Sequence, residues 1–237
     1  MITVFNFVLN TSILVSGFLR GTEVKMELNH IEQKHILEQT VSYQQFVRWS
    51  SEPIHLYTNR NSYAYQSEWS YPPSDMEETF TIQELTKINI NPELLFGTFI
   101  REQIFPDSFI HKLAVTYCED FLERLENQNI KTNPRFHKII NIKKLWLKKH
   151  ATSRDLDEVK KEAHRIFAND EKTQDIYYDS LAYAVYSCTL ESAVQSIRGV
   201  FKASERVFDE KLEYRRRWNI FLKLLGVQTP RPSHLQP

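Results

Sequence analysis

Glycine is scarce in this chain: five residues among 237, and none lies between Gly97 and Gly199. Glycine supplies the tight turns of β-sandwiches, Rossmann-type sheets and phosphate-binding loops. The sequence accordingly has no Walker loop, no paired-glycine dinucleotide turn and no Gly-x-Ser-x-Gly nucleophile elbow. These absences exclude the enzyme classes built on such loops and favour a mostly helical protein.

Neither the cysteines nor the net charge points to a disulfide framework, a zinc site or a nucleic-acid or lipid surface. Two cysteines, Cys118 and Cys188, cannot form a disulfide framework or a structural zinc site by themselves, and both fall on apolar helical stripes. Thirty basic and thirty acidic residues cancel, so no overall field draws the protein to nucleic acid or to anionic lipid. With 41% apolar residues the chain can close a core. We therefore expect a cytoplasmic protein.

Metal and cofactor motifs are also missing. A di-iron bundle needs two Glu-x-x-His motifs, and the chain has one, at Glu32–His35. His111, His137, His150 and His164 are dispersed singly along the sequence. We predict no metal, no cofactor and no catalytic residue.

The neutral total hides an asymmetry that divides the chain. Residues 1–105 carry seven basic and twelve acidic residues, and residues 106–237 carry twenty-three and eighteen. We distinguish a leading segment, 1–25, an irregular part, 26–106, a helical part, 107–226, and a polar tail, 227–237. The opposite charges favour packing of the irregular part against the helical part.

Residues 1–25 contain an apolar run, Val4–Leu19, that is short and polar for a membrane span. Three interpretations remain open: an untranslated stretch before a natural start at Met26, a signal or anchor segment, and an ordinary buried segment. No basic residue precedes Arg20, which is unusual for a secretory signal.

The irregular part is rich in aromatic residues. Apolar spacing predicts, imperfectly, a helix from His30 to Trp49, and the capping-box pattern Thr81–Glu84 predicts a short second helix. Between them, period-two spacing predicts a short β-hairpin that places four rings on one face: Tyr63, Tyr65, Trp69 and Tyr71. These rings either cover the helices or form a partner-binding surface.

The helical part reads as about six helices joined by short connections, which predicts an all-α antiparallel bundle. Its clearest stripe, Phe109–Leu125, follows Asp107 as N-cap and predicts the central helix. Three acidic residues, Glu119, Glu123 and Glu126, fall off the stripe and should be exposed. Four residues on the stripe should be inaccessible, and they are Leu113, Tyr117, Phe121 and Leu122.

Two basic clusters, Lys143–Lys149 and Arg215–Arg217, could contact phosphates. Acidic neighbours and the three directions of consecutive helical residues favour solvated helix faces instead. Arg217 is also a candidate partner-binding residue, since arginine is frequent at interfaces.

The helical part resembles a family of all-helical bacterial immunity proteins of the immunity-five-like type. The similarity runs from about Asp107 to Leu225. It is carried by LAVTYCEDFLERL at 113–125, Asn133–Arg135, Leu145–Leu147, Glu158–His164 and Glu213–Leu222. The resemblance implies a helical bundle that binds and neutralises a toxin.

The sequence thus predicts a non-enzymatic protein-binding module whose partner is a protein toxin or another protein. Two alternatives stay open. One is an enzyme with a site between the two parts, where His111, Tyr117 and Glu119 would converge in a deep polar pocket with perturbed pKa values. The other is a helical nucleic-acid-binding protein, whose affinity would fall steeply with salt.

Overall fold

The computed structural model describes residues 26–42, 79–86, 104–170 and 175–227. Of these residues 72% are helical, which confirms the all-α class. The described helices are α1 (His30–Leu37), α2 (Ile82–Leu85), α3 (Asp107–Asn127), α4 (Arg135–Leu147), α5 (Ser153–Asp170), α6 (Ile176–Cys188), α7 (Ala193–Ser204) and α8 (Glu210–Leu224). No helix among them is both long enough and apolar enough to cross a membrane.

The central position of α3 is confirmed. This helix packs against α4, α6, α7 and α8. The four stripe residues predicted to be inaccessible have no exposed surface. Neighbouring helices contribute the buried residues Phe136, Ile140, Leu181 and Ile197, while Val194 is only partly buried. The apolar spacing of α3 therefore located the core.

The irregular part folds differently from the prediction in one place. The helix expected over His30–Trp49 ends at Leu37, and Thr40–Ser42 forms strand β1. It pairs antiparallel with β2, Thr79–Thr81, in a register that sets Val41 opposite Phe80. The β-branched pair Thr40 and Val41 suits a strand better than a helix. The predicted hairpin at Tyr63–Tyr71 lies outside the described residues, as do 1–25 and 228–237.

Helix ends follow local capping chemistry, though not always at the predicted residue. The capping box of α2 is confirmed, since Thr81 accepts from the Glu84 N–H and Glu84 accepts from the Thr81 N–H. The prediction that Asp107 caps α3 is wrong, because Asp107 is the first helical residue and Pro106 precedes it. Thr189 follows α6, where its hydroxyl donates to the Tyr186 carbonyl, and Ser192 is the N-cap of α7.

Candidate functional site: an acidic cleft beside α3 and α8

The main candidate site is a cleft of about 700 Å³ where residues 26–33 cross α3 and α8. Four residues of α3 line it at helical spacing, so they share one face; they are Thr116, Glu119, Asp120 and Glu123. From α8 come Ile220, Lys223 and Leu224, and from the N-terminal segment Met26, Glu27, Leu28 and Gln33. Buried Met26 and Leu28 anchor that segment, and the Gln33 amide donates to the Leu224 carbonyl at 3.2 Å.

The cleft is acidic on balance. Its lining has four carboxylates, from Glu27, Glu119, Asp120 and Glu123, against two ammonium groups, from Lys144 and Lys223. Ion pairs fix part of this charge, since Lys144 donates to Glu119 and Arg216 binds Asp120. Glu27, Glu123 and Lys223 are the exposed charged residues of the lining. The arrangement favours a cationic ligand.

Lys144 reaches the cleft from inside the protein. It lies on α4 and is 3% exposed, although its cluster was expected to be a solvated face. Its carboxylate partner, Glu119, is 26% exposed at the side chain rather than fully wet. A buried ammonium needs such a partner, because desolvating an unpaired charge is costly. The pair therefore fixes the orientation of Glu119 at the cleft wall.

The three residues of the enzyme alternative do not converge. Glu119 lines the cleft, whereas His111 and Tyr117 are buried and absent from its lining. The His111 Nε2 lies 3.0 Å from the Glu191 carbonyl, and the ring meets Trp146 edge-on at 5.6 Å between centroids. Burial and the nearby Lys143 lower the pKa of His111 to about 4. A carbonyl accepts only, so the neutral imidazole donates from Nε2.

Lys143 shares this environment and has no exposed surface, which corrects the prediction that it lies on a solvated face. Its ammonium donates to the Leu190 carbonyl at 3.0 Å and sits 4.2 Å from the centre of the Trp146 ring. Burial lowers its pKa to about 8. The carbonyls that Lys143 and His111 bind follow the end of α6, where carbonyl groups lack helical partners. Both side chains thus serve the α6–α7 connection.

A second buried polar network joins α3, α7 and α8. The Tyr117 hydroxyl donates to Glu213 and lies 3.0 Å from the Ser204 hydroxyl. Arg124 pairs with Glu213 at 2.6 Å. Glu213 has no exposed surface, and burial raises its pKa to about 7 despite the opposing attraction of Arg217. This network lies in the helix interface, outside the lining of the cleft.

Arg217 belongs to the same interior, so it is not a partner-binding surface residue as predicted. The residue is 2% exposed and donates to Glu205 at 2.8 Å and to the Phe201 carbonyl at 2.9 Å. Its guanidinium also lies 4.3 Å from the centre of the Phe201 ring. Arg215 and Arg216 are exposed, so Arg217 points away from its two neighbours. The other predicted partner residues, Tyr63, Tyr65, Trp69 and Tyr71, lie outside the described residues.

The cysteines behave as core residues. Cys118 and Cys188 are both free and buried. The pKa of the Cys118 thiol is raised by the neighbouring Cys188 and by complete burial. Within the described ranges, no group of three or more histidine, cysteine or carboxylate side chains is placed to hold a metal ion.

Sequence reasoning missed the cleft although part of its signal was visible. The residues at 116, 119, 120 and 123 have helical spacing and form the polar face of α3. That pattern is the same as that of a solvated helix face. The residues that turn this face into a cleft come from about 90 positions earlier in the chain, and Lys144 comes from another helix.

No family model, no curated protein and no solved structure matches this chain. The resemblance to immunity proteins consequently stays a prediction.

Proposed function

We propose that the protein is a non-enzymatic binding module, built on an antiparallel helical bundle, that holds a basic segment of a partner protein in the acidic cleft. The observation that carries the proposal is the excess of carboxylates in a cleft of about 700 Å³, whose four carboxylates face two ammonium groups and the Arg216 guanidinium that binds Asp120. A lysine or arginine entering such a cleft gains charge-assisted hydrogen bonds without needing reactive groups.

The enzyme alternative is less well supported by the same geometry. It requires perturbed titratable groups in the pocket, because catalytic acids and bases need adjusted pKa values. Among the described residues, the carboxyl and the imidazole with the largest pKa shifts are those of Glu213 and His111, and both lie in the helix interior. Glu213 accepts a hydrogen bond from Tyr117, and His111 donates one to the Glu191 carbonyl. Their placement favours a structural role over catalysis.

Immunity toward a bacterial toxin is the most specific form of this proposal. It rests on the resemblance of residues 107–225 and on the capacity of an acidic cleft to mask a basic surface. Co-expression with the product of a toxin-like reading frame beside the gene tests it, with restored growth as the expected result. The substitution Trp69→Ala should weaken capture of that product if the aromatic cluster contributes.

A defined peptide tests the cleft without knowledge of the partner. We expect an oligolysine peptide to bind in calorimetric titration at low salt, whereas a glycine–serine peptide of equal length does not. The double variant Glu27→Gln, Glu123→Gln removes two carboxylates from the cleft and should weaken binding severalfold, since ion pairs with exposed carboxylates contribute about 0.2–1 kcal/mol each.

A matched variant separates the cleft from overall charge. Glu38→Gln with Glu158→Gln removes two exposed carboxylates elsewhere, of which Glu38 pairs with Lys34 and Glu158 pairs with Arg154. We expect it to bind the peptide as the unmodified protein does. Equal weakening by both double variants would refute the cleft as the binding site.

A further inference from the structure

A second groove has a volume of about 520 Å³ and, unlike the acidic cleft, is lined mainly by cationic side chains. Its lining consists of Asp157, Lys160, Lys161, His164 and Arg165 from α5 and Tyr186 from α6. The five residues of α5 are spaced so that they share one helix face, over about 12 Å of helix length. The groove was not among the basic clusters noticed in the sequence.

The groove carries a positive charge, and contacts within the protein hold two of its cationic side chains in place. Three cationic side chains, Lys160, Lys161 and Arg165, face one carboxylate, Asp157. The Arg165 Nε donates to the Lys161 carbonyl at 3.3 Å, which aligns the guanidinium with the helix. Lys160 lies 3.6 Å from the mostly exposed carboxylate of Glu191. Since the chain as a whole is neutral, the excess is local to this face.

The Tyr186 ring lines the groove, and other aromatic rings lie next to it. The Tyr186 ring meets His164 at 5.3 Å between centroids and stacks parallel to Phe167 at 6.0 Å. Phe167 in turn contacts Tyr183, whose ring lies 5.5 Å from the guanidinium of Arg206. Both tyrosines are partly exposed. The Tyr186 ring is therefore partly accessible from a groove that also carries cationic side chains.

We propose that this groove binds single-stranded nucleic acid, with phosphates at Lys160, Lys161 and Arg165 and a base against Tyr186. Positive charge along a groove with aromatic rings is the chemistry by which unpaired strands are held, because every base has a face that can stack. An acidic peptide would use the cations and leave the rings without a role. A duplex keeps its bases stacked internally and could not use Tyr186. The site is independent of the acidic cleft and of the function proposed for it.

Fluorescence anisotropy with a labelled oligouridine tests this proposal on the full chain. We expect binding at low salt whose affinity falls as salt rises. Lys161→Glu with Arg165→Glu should weaken binding at least tenfold, and Asp157→Asn should strengthen it, because it removes a carboxylate from the lining of the groove. Tyr186→Leu keeps an apolar side chain and should weaken binding about fivefold or more through lost stacking.

The matched control is Lys202→Glu with Lys211→Glu, which changes two exposed lysines outside the groove by the same charge. It should leave binding unchanged. Absence of binding at low salt, or equal weakening by the control pair, would overturn the proposal. Tighter binding of a duplex of the same length, or no effect of Tyr186→Leu in a variant with an unchanged circular dichroism spectrum, would overturn the assignment to single strands.

Discussion

At the residue scale, two buried titratable groups oppose each other in their dependence on pH. The pKa of Glu213 rises from its ordinary 4.5 to about 7, and that of His111 falls from 6.5 to about 4. Below pH 4.5 the Glu213 carboxyl is protonated in both states, so its contribution is complete, and it is lost as pH rises to about 7. The His111 contribution is complete above pH 6.5 and is lost as pH falls to about 4.

The two windows overlap, so we predict that together these groups leave the free energy of unfolding nearly level from pH 4.5 to 6.5. In the variant Glu213→Gln only the His111 contribution remains, so the free energy of unfolding of this variant should rise with pH across this range. His111→Gln, which keeps an amide donor for the Glu191 carbonyl, should show stability falling with pH. From pH 4.5 to 6.5 the free energy of unfolding of each variant should change by about 3 kcal/mol, since one pKa unit corresponds to about 1.4 kcal/mol.

Urea denaturation at a series of pH values measures both slopes. Lower overall stability of either variant does not affect the test, because the readout is the sign of the slope. Glu158→Gln, at an exposed residue, serves as the control and should follow the unmodified protein. Parallel profiles for all three variants would contradict the assignment of these two groups.

At the element scale, a close approach of α7 to α6 depends on one glycine. A Cβ added at Gly199 on α7 would lie 2.2 Å from the hydroxyl oxygen of Ser187 on α6 and 2.4 Å from its Cβ. Such distances are far inside van der Waals contact, so one helix would have to move. The sequence gives no hint of this, since a glycine inside a helical pattern has no marked role until its neighbour is known.

We predict that Gly199→Ala destabilises the protein by about 1–3 kcal/mol, because overpacking outweighs the gain of about 1 kcal/mol in helix propensity. Thermal unfolding followed by circular dichroism measures the loss. Ser187→Gly removes the atoms that collide, so the double variant with Gly199→Ala should recover stability relative to Gly199→Ala alone. If the double variant is no more stable, the contact between α6 and α7 is not the cause.

At the scale of the whole molecule, stability depends on the core around α3. Leu113 and Leu122 are completely buried there. Truncating either to alanine should cost about 2–5 kcal/mol, because the lost burial leaves a cavity. Against a typical domain stability of about 5–15 kcal/mol, the double variant should be partly or fully unfolded at room temperature.

Urea titration of the two single variants and the double variant tests this expectation. The exposed substitution Glu158→Ala should change stability by less than about 0.5 kcal/mol. Losses below about 1 kcal/mol for both leucine variants would mean that α3 is not the centre of the core.

The sequence by itself determined the features that depend on near neighbours in the chain. Apolar spacing located α3 and its buried face, and the Thr81–Glu84 pattern located the start of α2. These features follow from a helical period and from hydrogen bonds within a few residues, so a linear sequence displays them directly.

Only the tertiary structure decided which charged residues are inside. Lys143, Glu213 and Arg217 look like surface residues in the sequence, and each is buried because a partner from a distant segment satisfies it. The acidic cleft and the basic groove likewise combine residues from separate elements. Burial of a charge depends on a partner in space rather than on the residue's own pattern, and sequence periodicity carries no information about that partner.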